Sequence, residues 1–179
     1  ILETRNVEYK MAGDKSLQID FFRLKRLDRP VPLILFIHGG GWKGGKRSDY
    51  LVYLVDYAAK GYVTATVSYR LVGDAPYPAC AEDISDAVSW LFSHGDEYGY
   101  DPGRIAIVGG SAGAHLAMLA AYGWKKPGND TLQVMDTITS GRIKAIVDIY
   151  GPFDLTTEYA REHPLVTNFI ARPYDSRPG

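Results

Sequence analysis

The sequence predicts an α/β fold built on a doubly wound, mostly parallel sheet. Three observations predict it. From Pro32 onward, short apolar runs alternate with stretches of helical spacing, the order in which parallel sheets are assembled. The runs at 32–37 and 105–108 are apolar without alternation, as strands buried on both faces are. Both lead into glycine-rich turns, and ligands in such sheets bind beyond the carboxyl ends of strands.

The 179 residues have the length of one domain, enough chain for a hydrophobic core. Twenty Lys and Arg nearly balance 21 Asp and Glu, and no basic stripe interrupts that balance. Nucleic acid and anionic membrane are therefore excluded as the main partner. No apolar stretch reaches the length of a membrane-spanning helix. Cys80 is the only cysteine, so no internal disulfide can form. The compartment stays open: cytoplasmic, or exported with a leader already removed. No Cys/His cluster has metal-ligand spacing, and no cofactor is expected.

Residues 3–10 and 17–25 are partly alternating runs around Met11-Ala12-Gly13-Asp14-Lys15 and predict an antiparallel hairpin. Residues 32–37 predict the first buried parallel strand. Apolar residues at helical spacing over 48–60, stopped by Gly61, predict a helix. Residues 62–69 predict a strand, and 70–79, with two prolines, a loop. Ile84, Val88 and Leu91 share one face of a helix expected over 80–94. A turn at 101–103 leads into the strand at 105–108. A small-residue helix follows and stops at Gly123. Residues 124–140 are polar and rich in turn formers, so a surface excursion is expected there. Residues 143–149 predict a sixth strand. After Gly151-Pro152 the pattern weakens, and 172–179 reads as a mobile tail.

Two motifs carry chemistry. Gly109-Gly110-Ser111-Ala112-Gly113 is a G-x-S-x-G between a strand and a helix. A strand that turns at once into a helix thrusts the middle side chain outward, and bulk at the flanking positions would collide. Ser111 then stands at a helix N-terminus, where unpaired N–H groups favour developing negative charge. The second motif is His38-Gly39-Gly40-Gly41-Trp42, directly after a buried strand. Three successive glycines let the backbone approach a ligand closely and aim its N–H groups into a cleft. A nucleophilic serine needs such donors facing its oxyanion.

Further stretches occur in order with these: Ser68-Tyr-Arg-Leu71, Tyr77-Pro78 with Asp83 after it, Trp90-Leu91, Tyr98-Gly-Tyr-Asp-Pro102, Arg104-Ile105 and Asp148-Ile-Tyr-Gly-Pro152. Together they resemble the α/β-hydrolase superfamily, within it the HGGG-type esterases and lipases. The nearest branch holds hormone-sensitive-lipase-like carboxylesterases and bacterial acetyl-xylan and feruloyl esterases. The resemblance runs from about Pro32 to Leu155. It implies an α/β-hydrolase fold and a serine carboxylic-ester hydrolase working through an acyl-enzyme on Ser111. It further implies an oxyanion hole from the N–H groups of Gly40, Gly41 and Ala112, with His38 bracing the loop. Trp42 lines the substrate pocket or packs beneath it. Arg70 and Asp83 are implied to be structural.

That family orders its triad Ser, then acid, then His. Here His38 belongs to the glycine loop, His94 ends a helix, His115 packs one turn below Ser111, and His163 lies in the variable segment. None is expected to be the base. The expectation is one domain over 1–179, lacking the last strands and helices of the fold, with a cap or variable segment over 152–179. The acid and His are expected in a C-terminal remainder, as a second chain or segment. The expected substrate is a small ester with a short or small aromatic acyl group. An amidase, aryl formamidase or peptidase on the same scaffold is the enzymatic alternative, and a noncatalytic small-molecule-binding member of the fold is the other.

Overall fold

The computed structural model describes residues 1–125, 132–133 and 141–170. A hairpin opens the chain, β1 (Leu2–Ala12) against β2 (Lys15–Arg23), turning through Gly13 at φ 62°. The parallel strands are β3 (Val31–Ile37), β4 (Val63–Val67), β5 (Tyr100–Gly110) and β8 (Ile143–Ile149). The main sheet has the order β1-β2-β4-β3-β5-β8. β2 joins β4 antiparallel, while β4, β3, β5 and β8 run parallel. The sheet is therefore mixed: a four-stranded parallel part bears an antiparallel hairpin. A two-residue pair, β6 (Trp124–Lys125) and β7 (Leu132–Gln133), stands apart from it. The rest of the excursion expected at 124–140, and the tail at 172–179, lie outside the described residues.

Helices cover both faces, as the apolar strands require. On one side, α1 (Leu51–Ala59) sets Leu54 and Ala58 against Phe22, Ile34 and Phe36. On the other, α2 (Ala79–Leu91) and α4 (Ala112–Tyr122) pack on Leu33, Leu35 and Ile37. Alternate β3 side chains thus feed two different cores, which is why this strand shows no polar alternation. β8 pairs only with β5 among the described residues, and Val147 on it is 47% exposed.

Several element bounds differ from expectation. The helix expected over 48–60 starts with a 3-10 turn, Arg47–Tyr50, because the Asp49 carboxylate accepts the Lys46 backbone N–H and tightens the entry. The helix expected over 80–94 ends at Leu91, and a short α3 (Gly95–Tyr98) follows. Side-chain packing dictates that break: His94 stacks on Trp90 at 3.7 Å, and its Nδ1–H donates to the Trp90 carbonyl at 2.7 Å. His94 thus satisfies a helix-end acceptor, as its position suggested. Beyond Gly151 the weak pattern hides two short helices, α5 (Glu158–Glu162) and α6 (Pro164–Ile170). The Thr157 hydroxyl caps α5 by accepting the Ala160 N–H.

Candidate active site

The turn from β5 into α4 places Ser111 at φ 53°, ψ −122°, a conformation that costs a non-glycine residue on the order of 1–3 kcal/mol. Its surroundings impose it. The Ser111 N–H donates to the Ile149 carbonyl at 2.9 Å, tying the elbow to the end of β8. The Ser111 carbonyl accepts the Ala114 and His115 N–H groups and starts the helix. The flanking glycines are required by close approach. A Cβ on Gly113 would fall 2.2 Å from the Ile37 carbonyl oxygen, and one on Gly109 would fall 2.4 Å from that of Gly113. Strand, helix and neighbouring strand are in backbone contact here, leaving room for no side chain except the outward serine.

The glycine loop leaves β3 beside this elbow. A Cβ on Gly39 would meet the Gly110 carbonyl at 2.6 Å. Gly40 and Gly41 have φ of 110° and 60°, and the Gly40 carbonyl accepts the N–H groups of Lys43 and Gly44. Among the described residues no acceptor takes the N–H groups of Gly40, Gly41 or Ala112. His38 braces the loop, as expected. Its Nδ1–H donates to the Gly39 carbonyl at 2.9 Å, and Tyr69 stacks on its ring and donates to its carbonyl at 2.8 Å. Burial holds the His38 pKa below the usual range, outweighing the Gly39 carbonyl and Asp49, which favour its charge. The brace is therefore a neutral ring.

A cavity of about 280 Å³ opens over Ser111. Gly41, Trp42, Leu165 and Val166 form its apolar wall, and Tyr150, Pro152, Leu155, Tyr159 and His163 face them. Trp42, expected at the pocket, both lines and supports it. It is 3% exposed and stacks on Phe169 of α6 at 4.3 Å. His115 presents its ring edge-on to both, at 5.4 and 5.7 Å. Burial among these rings pulls the His115 pKa down to about 4, and its Nδ1 has no hydrogen-bond partner among the described residues. The inward packing expected of His115 is what the structure has.

The structure thus brings Ser111, Gly41 and Trp42 to one cavity and keeps Arg70 and Asp83 out of it. Asp83, fully buried, accepts from the Arg70 backbone N–H and guanidinium and from Lys10 Nζ at 2.8 Å. Those bonds tie α2 to the loop after β4 and to the hairpin. None of the four histidines hydrogen-bonds Ser111 among the described residues. His163 lines the cavity, but its Nδ1 accepts the Leu165 N–H at 3.2 Å. No group of three or more His, Cys, Asp or Glu side chains is placed to hold a metal among the described residues. No helix there is long and apolar enough to cross a membrane. Sequence reasoning missed Tyr150, Leu165 and Phe169. Only Tyr150 had a signal, as part of the Asp148–Pro152 stretch, and nothing marked it as a pocket residue.

Known proteins resemble this chain. Esterase LipC of Mycobacterium tuberculosis is 32% identical over 166 residues, 90% of this chain and 40% of that protein. The chain spans about 40% of the length of the curated relatives it first matches. The native structure of Est2, a thermophilic esterase from Thermogutta terrifontis, overlays with a TM-score of 0.73 at 23% identity, covering 93% of this chain and 61% of that one. Esterase B from Lactobacillus rhamnosis, in a structure with a C4-C4 tributyrin phosphonate, gives 0.60 at 31% identity over 67% of this chain and 39% of that one. The BD-FAE family model matches residues 19–176, so the chain belongs to the BD-FAE family and has the fold of the α/β-hydrolase esterases and lipases.

Proposed function

We propose that this chain carries the nucleophile half of a serine carboxylic-ester hydrolase. The observation that carries the reading is the strained Ser111 beneath an open cavity, beside a loop whose N–H groups of Gly40 and Gly41 are uncommitted among the described residues. The Ser111 hydroxyl adds to the ester carbonyl. The N–H groups of Gly40, Gly41 and Ala112 stabilise the oxyanion. Collapse expels the alcohol and leaves the acyl group on Ser111, and water then releases the acid. The base that takes the serine proton, and the acid that orients it, come from sequence outside 1–179. The relatives hold the matched stretch within a polypeptide more than twice as long. That favours one continuous chain as their source, and a separate second chain finds no support in it.

A cavity of about 280 Å³ with an apolar wall suits a short acyl group. Esterase B, with its C4 phosphonate, supports the same range. The partner is a small-molecule ester. The test uses the complete protein. A fluorophosphonate should label Ser111, and p-nitrophenyl acetate or butyrate should be hydrolysed in preference to esters above about C10. Labelling elsewhere, or turnover retained in Ser111→Ala, overturns the assignment.

A further inference from the structure

Four non-glycine residues have positive φ: Asn6, Trp42, Ser111 and Tyr150. Three of the four line the cavity over the nucleophile. Two are explained, Ser111 by the elbow and Trp42 by its place in the glycine loop. Tyr150, at φ 49° and 77% exposed, is not. Bulky residues rarely adopt this backbone without a reason, and such outliers cluster where ligands are handled.

The reason lies in where its hydroxyl goes. A Cβ placed on Gly110, next to the nucleophile, would fall 3.5 Å from the Tyr150 hydroxyl and 2.3 Å from that of Tyr50. Two phenols from distant parts of the chain, one at the end of β8 and one at the start of α1, thus converge on the residue before Ser111. Neither hydroxyl has a hydrogen-bond partner among the described residues. With no protein partner, both hydroxyls are free to exchange water for a ligand's polar group. The apolar wall of Trp42 and Leu165 lies on the side of the glycine loop and suits an acyl chain. Tyr150 lines the same cavity and is 77% exposed.

We propose that Tyr50 and Tyr150 form the alcohol-side subsite and select esters whose alcohol carries a further hydroxyl group. The proposal rests on the ester-hydrolase reading of Ser111. Each phenol donates to, or accepts from, that hydroxyl, and an alkyl alcohol offers neither bond.

The test compares two acetates in the complete protein, glycerol monoacetate and propyl acetate, so the acyl group is constant. Tyr150→Phe and Tyr50→Phe keep the rings and remove the hydroxyls. Each should lower kcat/KM for glycerol monoacetate about three- to tenfold, the size of one neutral hydrogen bond. Propyl acetate should change by less than about twofold. Equal losses on both esters, or no loss on either, overturn the subsite. Fluorophosphonate labelling of the same preparations separates the two levels. Normal labelling of Ser111 with an unchanged ester ratio removes only the subsite. Unlabelled Ser111 in the unsubstituted protein removes the hydrolase reading and the subsite with it.

Discussion

Leu165 of α6 closes directly over Gly41 of the glycine loop: a Cβ on Gly41 would lie 3.1 Å from both Leu165 methyl carbons. The segment after β8 therefore touches the proposed oxyanion donors, not merely the rim of the pocket. Gly41→Val meets this contact and also an unfavourable φ of 60°. Turnover of p-nitrophenyl acetate should fall on the order of 10²-fold in kcat, the effect of losing one such donor. Adding Leu165→Ala should not restore it, because the backbone angle remains. Full restoration would show that crowding alone was at fault.

Leu165→Ala by itself should lengthen the acyl pocket. A buried methylene is worth about 0.8 kcal/mol, so the hexanoate-to-butyrate ratio of kcat/KM should rise several-fold. An unchanged ratio would place the acyl chain away from α6.

At Ser111 the proposed catalysis and stability oppose each other. Ser111→Gly should abolish hydrolysis and relieve the strain at φ 53°. The net gain should be on the order of 1 kcal/mol, because glycine's extra unfolded-state freedom offsets part of the relief. Urea unfolding measures it. A loss of stability would mean that the hydroxyl holds the elbow together.

The resting protein should lose stability in acid through His115. Its ring takes a proton near pH 6.5 when unfolded and at about 4 when folded, because burial disfavours the charge. Between those values the unfolded chain binds more protons. The contribution is therefore complete above pH 6.5 and is lost as pH falls toward 4. His38, shifted the same way by burial, adds to the slope. The full loss from His115 is on the order of 3 kcal/mol. Urea midpoints at pH 7.5 and 4.5 should diverge less in His115→Phe than in the unsubstituted protein. Equal divergence would move the acid sensitivity elsewhere.

Asp83→Ala would remove the buried carboxylate that Arg70 and Lys10 share, leaving them only the more exposed Glu82 and Asp86. Breaking a buried pair this way costs about 3–5 kcal/mol. The melting temperature should drop sharply, while kcat per folded molecule stays near its original value. A fall in kcat at unchanged stability would contradict the structural role.

The parts of this fold that could be read in the sequence are those where backbone packing leaves one choice. Gly109 and Gly113 admit no side chain, and β3 must be apolar on both faces, so these positions declare themselves. The cavity wall does not. Leu165 and Phe169 lie in a single helix of seven residues, too brief for a periodic pattern, and they matter through tertiary contact with Gly41 and Trp42. Tyr150 escaped notice because its significance is a backbone angle, which composition does not encode. The break at Leu91 was hidden in the same way, since stacking of His94 on Trp90 dictates it.

The bond from the Ser111 N–H to the Ile149 carbonyl also bears on the order of folding. The elbow looks local in sequence, yet its geometry is closed by strands far along the chain on either side: Ile37 against Gly113, and Ile149 against Ser111. Such distant pairings form late, because the intervening loops must close first. The proposed nucleophile, Ser111, therefore reaches this posture only once β3, β5 and β8 have docked in register. Helices α2 and α4 can form earlier without exposing a reactive serine. Fluorophosphonate reactivity during refolding should accordingly trail the recovery of helical signal, which makes it a reporter of sheet completion.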